Sequence, residues 1–268
     1  MKPSPADTNY VELPLDALDA TRIEAVWRYD AAAQGRQLVL PDGRMDLVVH
    51  CALRPDGMVA SVWPVIAGPA DQPAFVSLRA ATVVLGVRFH MGWGGACLGT
   101  APGALRNRTV FGAEAARMLG PSCATNPLLQ ARTLRGVEQA LRSTARALAA
   151  RASVAAAQGR ALAAIEQMVR QGQTVEEGGG GWAVPSSRTL RRDMAAVAGL
   201  PLRSLAGILR FQRAMDLLQA GRPSLGEVAL AAGYADQAHM TREFRRYGGF
   251  TPAAPAPAPL VRRAPCLP

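Results

Sequence analysis

Between Arg22 and Met91, apolar residues fall in short runs rich in β-branched side chains: RIEAVWRY, RQLVL, MDLVVHCAL, GMVASVWPVI and TVVLGVRF. Runs of this length predict strands, and Pro41-Asp42-Gly43, Pro55-Asp56-Gly57 and Gly68-Pro69 punctuate them as turns. Closely spaced strands with tight turns predict a small barrel or sandwich. From about Gln130 the period changes to that of a helix, with Val137, Leu141 and Leu148, then Leu162, Ile165 and Val169. No heptad is sustained, so these helices read as a connector or a dimer-packing element rather than a coiled coil.

The segment from Ser224 to Pro252 carries the sharpest pattern. Ser224 and Glu227 form an S-x-x-E capping box that opens a helix. Leu225, Val228, Ala229 and Ala232 give it an apolar face, and Gly233 supplies the left-handed residue that ends it. Asp236 is placed to cap a second helix, Gln237 to about Tyr247, with Met240, Phe244 and Tyr247 on its buried side. Two short helices joined by a glycine turn, with small Ala229 at their closest approach, have the form of a helix-turn-helix. The outward positions of the second helix are Gln237, Ala238, His239, Thr241, Arg242, Arg245 and Arg246. Their amide, imidazole, hydroxyl and guanidinium groups can meet base edges and phosphates.

Charge points the same way. The formal net charge is +10, and every basic residue except Lys2 is arginine. Fifteen basic and twelve acidic residues precede Arg151, against fifteen and eight from Arg151 onward, so the excess sits in the helical part. A polyanion, nucleic acid first, is the partner this balance favours.

GYADQAHMTREFRR followed by GFTP resembles the second helix-turn-helix of AraC/XylS-type transcription regulators, and RFQRAMDLLQAG, Arg210 to Gly221, resembles their long linking helix. SSRTLRRDM, Ser186 to Met194, is similar to the family's first reading helix, with Ser186 as its cap and Arg188, Thr189, Arg191 and Arg192 as its DNA-facing residues. The resemblance implies two helices entering successive major-groove segments on one face of DNA. A linker from about Leu202 to Ala220, at ~1.5 Å per residue, is nearly 30 Å long, comparable with the ~34 Å between such segments. The chain departs from the family ahead of Ser186, where GGGGWAVP, with Gly178 to Gly181, replaces the expected supporting helix. Glycine costs roughly 0.8–1 kcal/mol relative to alanine at each helical position. The N-terminal stretches VLPDGRMDLVVH and VVLGVRF resemble a poorly characterised domain found ahead of such modules.

The fold class is therefore α+β. A β-rich sensor or dimerisation domain (residues 1–128) precedes a helical connector (129–157) and an all-α domain with two helix-turn-helix units joined by a long helix (158–252). The Pro/Ala tail (253–268) cannot bury enough apolar area to offset ordering and is expected to be disordered. The resemblance implies double-stranded DNA as partner, with RNA polymerase, a small-molecule effector and a second copy of the chain as further candidates, and no cofactor.

Other chemistry is thinly represented. Cys51, Cys97, Cys123 and Cys266 lack metal-ligand spacing and read as reduced thiols. Asp46, His50 and His90 match no strong ligand motif and read as residues of the fold. No nucleophile elbow, P-loop, HExxH or GxGxxG stands in the chain, which leaves a metal-binding or enzymatic β-barrel with an accessory helical tail as the rival reading. The first ten residues carry no secretory h-region and no apolar run approaches the ~18 residues of a membrane span, so a cytoplasmic, non-membrane protein is expected.

Overall fold

The computed structural model describes residues 10–16, 18–31, 34–120, 125–173, 187–221, 224–254 and 260–261. Strands β1 (Tyr10–Leu13), β2 (Ile23–Ala31), β3 (Gly35–Val39), β4 (Asp46–Leu53), β5 (Val59–Ala67), β6 (Ala74–Leu78) and β7 (Thr82–Phe89) lead into helix α1 (Gly94–Leu98). A 3-10 turn (Pro102–Leu105), strand β8 (Thr109–Phe111) and helices α2 (Gly112–Leu119), α3 (Thr125–Gln130) and α4 (Leu134–Arg151) follow. The rest is helical: α5 (Ala156–Gln173), α6 (Arg188–Ala198), α7 (Leu202–Gln219), α8 (Leu225–Ala231) and α9 (Gln237–Tyr247), ending in the short strand β9 (Leu260–Val261).

Six strands form one antiparallel sheet in the order β1-β2-β7-β4-β5-β8, and β6-β3-β9 form a second. The larger sheet buries one face, with Leu47, Val49, Leu85 and Val87, against Val137, Leu141, Ala145 and Leu148 of α4. Its other face, with Trp27, Tyr29, Val48, Val65 and Val84, is packed by Tyr10 of β1 and Val76 of β6. All eight residues of the central strand β7 are buried. Burial on both faces removes the need for polar residues at alternate positions, which is why the alternation in the sequence is imperfect.

Two boundaries differ from the sequence expectation. The connector expected over residues 129–157 is not a free linker: α4 is a layer of the N-terminal domain, its apolar stripe spent on the sheet. The tail expected to be disordered contributes β9, parallel to β3 with Leu38 opposite Leu260 and Val39 opposite Val261. β3 presents an edge whose N–H and C=O groups need partners, and Leu260-Val261 is where the proline alternation lapses and backbone donors return.

The second core belongs to α5–α9, with Ile165, Met194, Leu205, Phe211, Val228, Phe244 and Tyr247 among its fully buried residues. Met91, from the loop after β7, lies inside it, and Leu40 and Trp93 pack against it. The two domains thus share an apolar seam.

Candidate nucleic-acid interface

The second unit follows local chemistry closely. The Glu227 N–H donates to Ser224 Oγ at 3.2 Å and opens α8. Gly233, at φ +86°, turns the chain, and the His239 N–H donates to Asp236 Oδ1 at 2.6 Å to open α9. Helix α9 seats on α7 through Phe244, whose ring lies edge-on to Phe211 with centroids 4.9 Å apart. Arg210 of α7 reaches Glu243 of α9 at 3.3 Å. The approach is close because Gly207 has no side chain: a Cβ there would lie 2.2 Å from Tyr247 Oη.

With Met240, Phe244 and Tyr247 buried, Gln237, Ala238, Arg242, Arg245 and Arg246 are exposed on the opposite side, while His239 and Thr241 are half-buried. Two of these have other work. The Thr241 hydroxyl donates to Gln237 O at 2.9 Å, and the His239 ring meets Tyr234 edge-on at 5.2 Å. Arg246 lies over the Tyr247 ring at 5.1 Å, which holds its guanidinium along the helix.

In the first unit, α6 exposes Arg188, Thr189, Arg191 and Arg192 within its first turn and a half. Its N-cap is Ser187, whose Oγ accepts from the Leu190 N–H at 3.3 Å, and not Ser186 as the sequence suggested. Because α6 begins at Arg188, only the residue before it sits in register to cap; Ser186 and Gly178 to Gly181 lie outside the described residues. Arg188, Arg191 and Arg192 crowd the start of α6, and no acidic residue stands in its first turn, where the helix dipole disfavours cations. That arrangement costs stability and makes physical sense beside phosphate. Helix α6 runs into α7 through Gly199, Leu200 and Pro201, the two helices bending by 65°. Helix α7 has 18 residues, a length of about 27 Å at ~1.5 Å per residue.

Two family models match: a helix-turn-helix domain over residues 185–254, and a domain of unknown function (DUF6597) over residues 13–111. Residues 185–254 form an AraC-type helix-turn-helix domain. No curated protein matches the chain. Among solved structures, ToxT from Vibrio cholerae is similar over most of both chains. An apo ToxT variant is 11% identical, with a TM-score of 0.40, covering 88% of this chain and 97% of that one. ToxT bound to an unsaturated fatty acid is 12% identical, with a TM-score of 0.38, covering 94% and 96%. The AraC-type domain here is preceded by the β-rich domain and carries both candidate reading helices, α6 leading into the N-terminal end of α7 and α9 packed on its middle through Gly207, Arg210 and Phe211.

The residues weighed for other chemistry are placed differently. Asp46 faces Arg88 at 3.5 Å, and burial raises its carboxyl to about 6 despite that cation. The His90 ring meets Ala20 O at 3.1 Å, while His50 pairs across the sheet with Trp63. Among the described residues no group of three or more His, Cys, Asp or Glu could hold a metal. Cys51 and Cys97 are buried free thiols, and burial pushes each up to about 12. Among the same residues no single helix is long and apolar enough to cross a membrane.

Sequence reading did not find the contacts between the AraC-type domain and the sheet domain. The Asp71 carboxylate, in the loop between β5 and β6, accepts from Ser204 of α7 at 2.9 Å. It also accepts from Arg106 at 2.6 Å and Asn107 at 2.9 Å. Gln212 of α7 donates to Pro41 O at 3.2 Å. A half-open cleft of about 370 Å³ is also lined from both domains, by Gly95, Thr100 and Pro102 on one side and Gln158, Ala196 and Val197 on the other. Partners more than 100 residues apart leave no local signal.

Proposed function

We propose that the protein is a sequence-specific DNA-binding transcription regulator in which α6 and α9 read adjacent major-groove segments. The observation that carries this reading is the second unit: two capped short helices on a glycine turn, with Gln237, Arg242, Arg245 and Arg246 exposed on the side away from the core. Side chains of these types donate to guanine edges and to phosphates. Arg188, Thr189, Arg191 and Arg192 serve the first segment, and Ala238, His239 and Thr241 complete the surface of the second. The chain acts without catalysis of its own.

The N-terminal domain is proposed to tune this activity, through an effector or through pairing with a second copy. The effector reading is supported by the half-open cleft at the domain junction, whose volume of about 370 Å³ lies at the lower end of the roughly 300–1,000 Å³ of small-molecule sites. Selection of bound sequences from random DNA, followed by titration of the best sequence against a scrambled one, tests the function. A preference of roughly a thousandfold or more is expected of specific readers. Equal affinity for both would reduce the protein to a non-specific DNA coat.

A further inference from the structure

The first reading helix is held from both ends of its exit. Immediately after α6, Gly199 adopts φ +72° and lies directly on the 3-10 turn of the sheet domain: an added Cβ would sit 2.6 Å from Pro102 and 2.8 Å from the backbone nitrogen of Gly103. Five residues later, in the first turn of α7, Ser204 is buried and its hydroxyl is bound to Asp71. The Asp71 carboxylate, itself only 2% exposed, is anchored in its own domain by Arg106. Between these two points the chain makes its 65° bend, so the direction of α6 relative to α7 is set where the sheet domain touches it. Among the described residues no hydrogen bond or ion pair joins α9 to the sheet domain, and α9 is seated on α7 by Phe211, Arg210 and the Gly207–Tyr247 approach.

We infer that Asp71, Ser204 and Gly199 are positioning residues for DNA reading: the N-terminal domain acts as part of the frame of the first reading unit and not of the second. Resting as it does on the two-helix DNA-reading function, this assigns the sheet domain a direct part in specificity. The arginines of α6 and α9 all remain exposed while the domains are docked, so the contact aims the first helix without covering it.

The test uses the full chain and an operator obtained by selection, with base changes introduced separately in the half read by α6 and the half read by α9. Ser204→Ala removes the hydrogen bond across the domains while leaving Asp71 its own-domain partners. It should weaken operator binding about five- to tenfold, the size of one lost buried hydrogen bond, and flatten base preference in the α6 half alone. Asp71→Asn, which keeps an acceptor oxygen, should fall between this variant and the parent. Gly199→Ala should flatten the same half more strongly, because the added methyl must displace the 3-10 turn. General loss of stability would lower binding to both halves together and leave relative preferences in place, so that outcome overturns the inference. Unchanged preference in the α6 half overturns it equally. Arg242→Ala in the same assay separates the two levels: if it has no effect, the DNA-reading function itself fails, whereas an effect of Arg242→Ala with none of Ser204→Ala removes only the positioning role.

Discussion

Arg242 stands in the middle of the exposed stripe of α9, one turn beyond Ala238 and one short of Arg245 and Arg246. A guanidinium there reaches a guanine edge or a phosphate. Arg242→Ala is expected to cost about 1–3 kcal/mol of binding and to relax preference at one base position. Arg191→Ala and Arg192→Ala should cost less. Arg192 lies 3.5 Å from Asp193, a carboxylate that already offsets part of its charge. Titration of the three variants against one operator checks the ranking, which fails if either α6 change is the most damaging. Asp71 adds a pH dependence at the same scale. Burial raises its pKa, but hydrogen bonds from Arg106, Asn107 and Ser204 outweigh that and leave the carboxyl below its usual value. A carboxylate with a depressed folded-state pKa contributes its stability fully above the unfolded value, near pH 4, and loses it as pH falls through the folded one. Docking between the domains should therefore be constant near neutrality and weaken only in acid. Fluorescence of Trp93, at the seam, would follow it, and loosening between pH 6 and 8 would contradict this account.

At the scale of elements, the caps and close approaches decide how firmly the reading helices are held. Asp236→Ala leaves the His239 N–H without its acceptor, and Ser224→Ala does the same for Glu227; each should cost roughly 1 kcal/mol in urea unfolding. Gly207→Ala is expected to cost about 1–3 kcal/mol by overpacking. The atom it meets belongs to Tyr247, a fully buried ring fixed by Phe211. No loss of stability in that variant would show that α7 and α9 can part. The second unit was legible because its instructions are local: an N-cap acts three residues away, and an apolar stripe repeats within one helix. The strands β2, β3, β4, β5 and β7 were legible from β-branched runs, but β1, β6 and β8 were not. They are edge or hairpin strands of three to five residues, too short to show a period. The cap of α6 was misplaced by one residue, since two adjacent serines offer the same chemistry and only the start of the helix selects between them.

For the whole molecule, electrostatics and docking act together. Arginines on both reading helices should displace counterions, so affinity is expected to fall steeply with salt, log Kd against log salt having a slope of about 0.9 per phosphate neutralised. A flat dependence between 50 and 200 mM, roughly the range over which such contacts lose several orders of magnitude, would contradict the electrostatic component. A fragment beginning at Ala152 loses Met91 from the helical core and Asp71 from Ser204. It should keep its preference in the half-site read by α9 and lose most of it in the other; equal retention in both halves would mean the domains are independent. Taken alone, the amino-acid sequence determined the strand-rich and helical halves, the capped second unit, the exposure of Gln237, Ala238, Arg242, Arg245 and Arg246 on α9, and the sign of the charge. Each of these is set by neighbours a few residues apart or by composition. Only the tertiary structure decided that α4 belongs to the sheet, that β9 returns to β3, and that Asp71 holds Ser204 across 133 positions of chain. Such pairings follow from which surfaces remain uncovered once the elements have formed, and no local pattern encodes that.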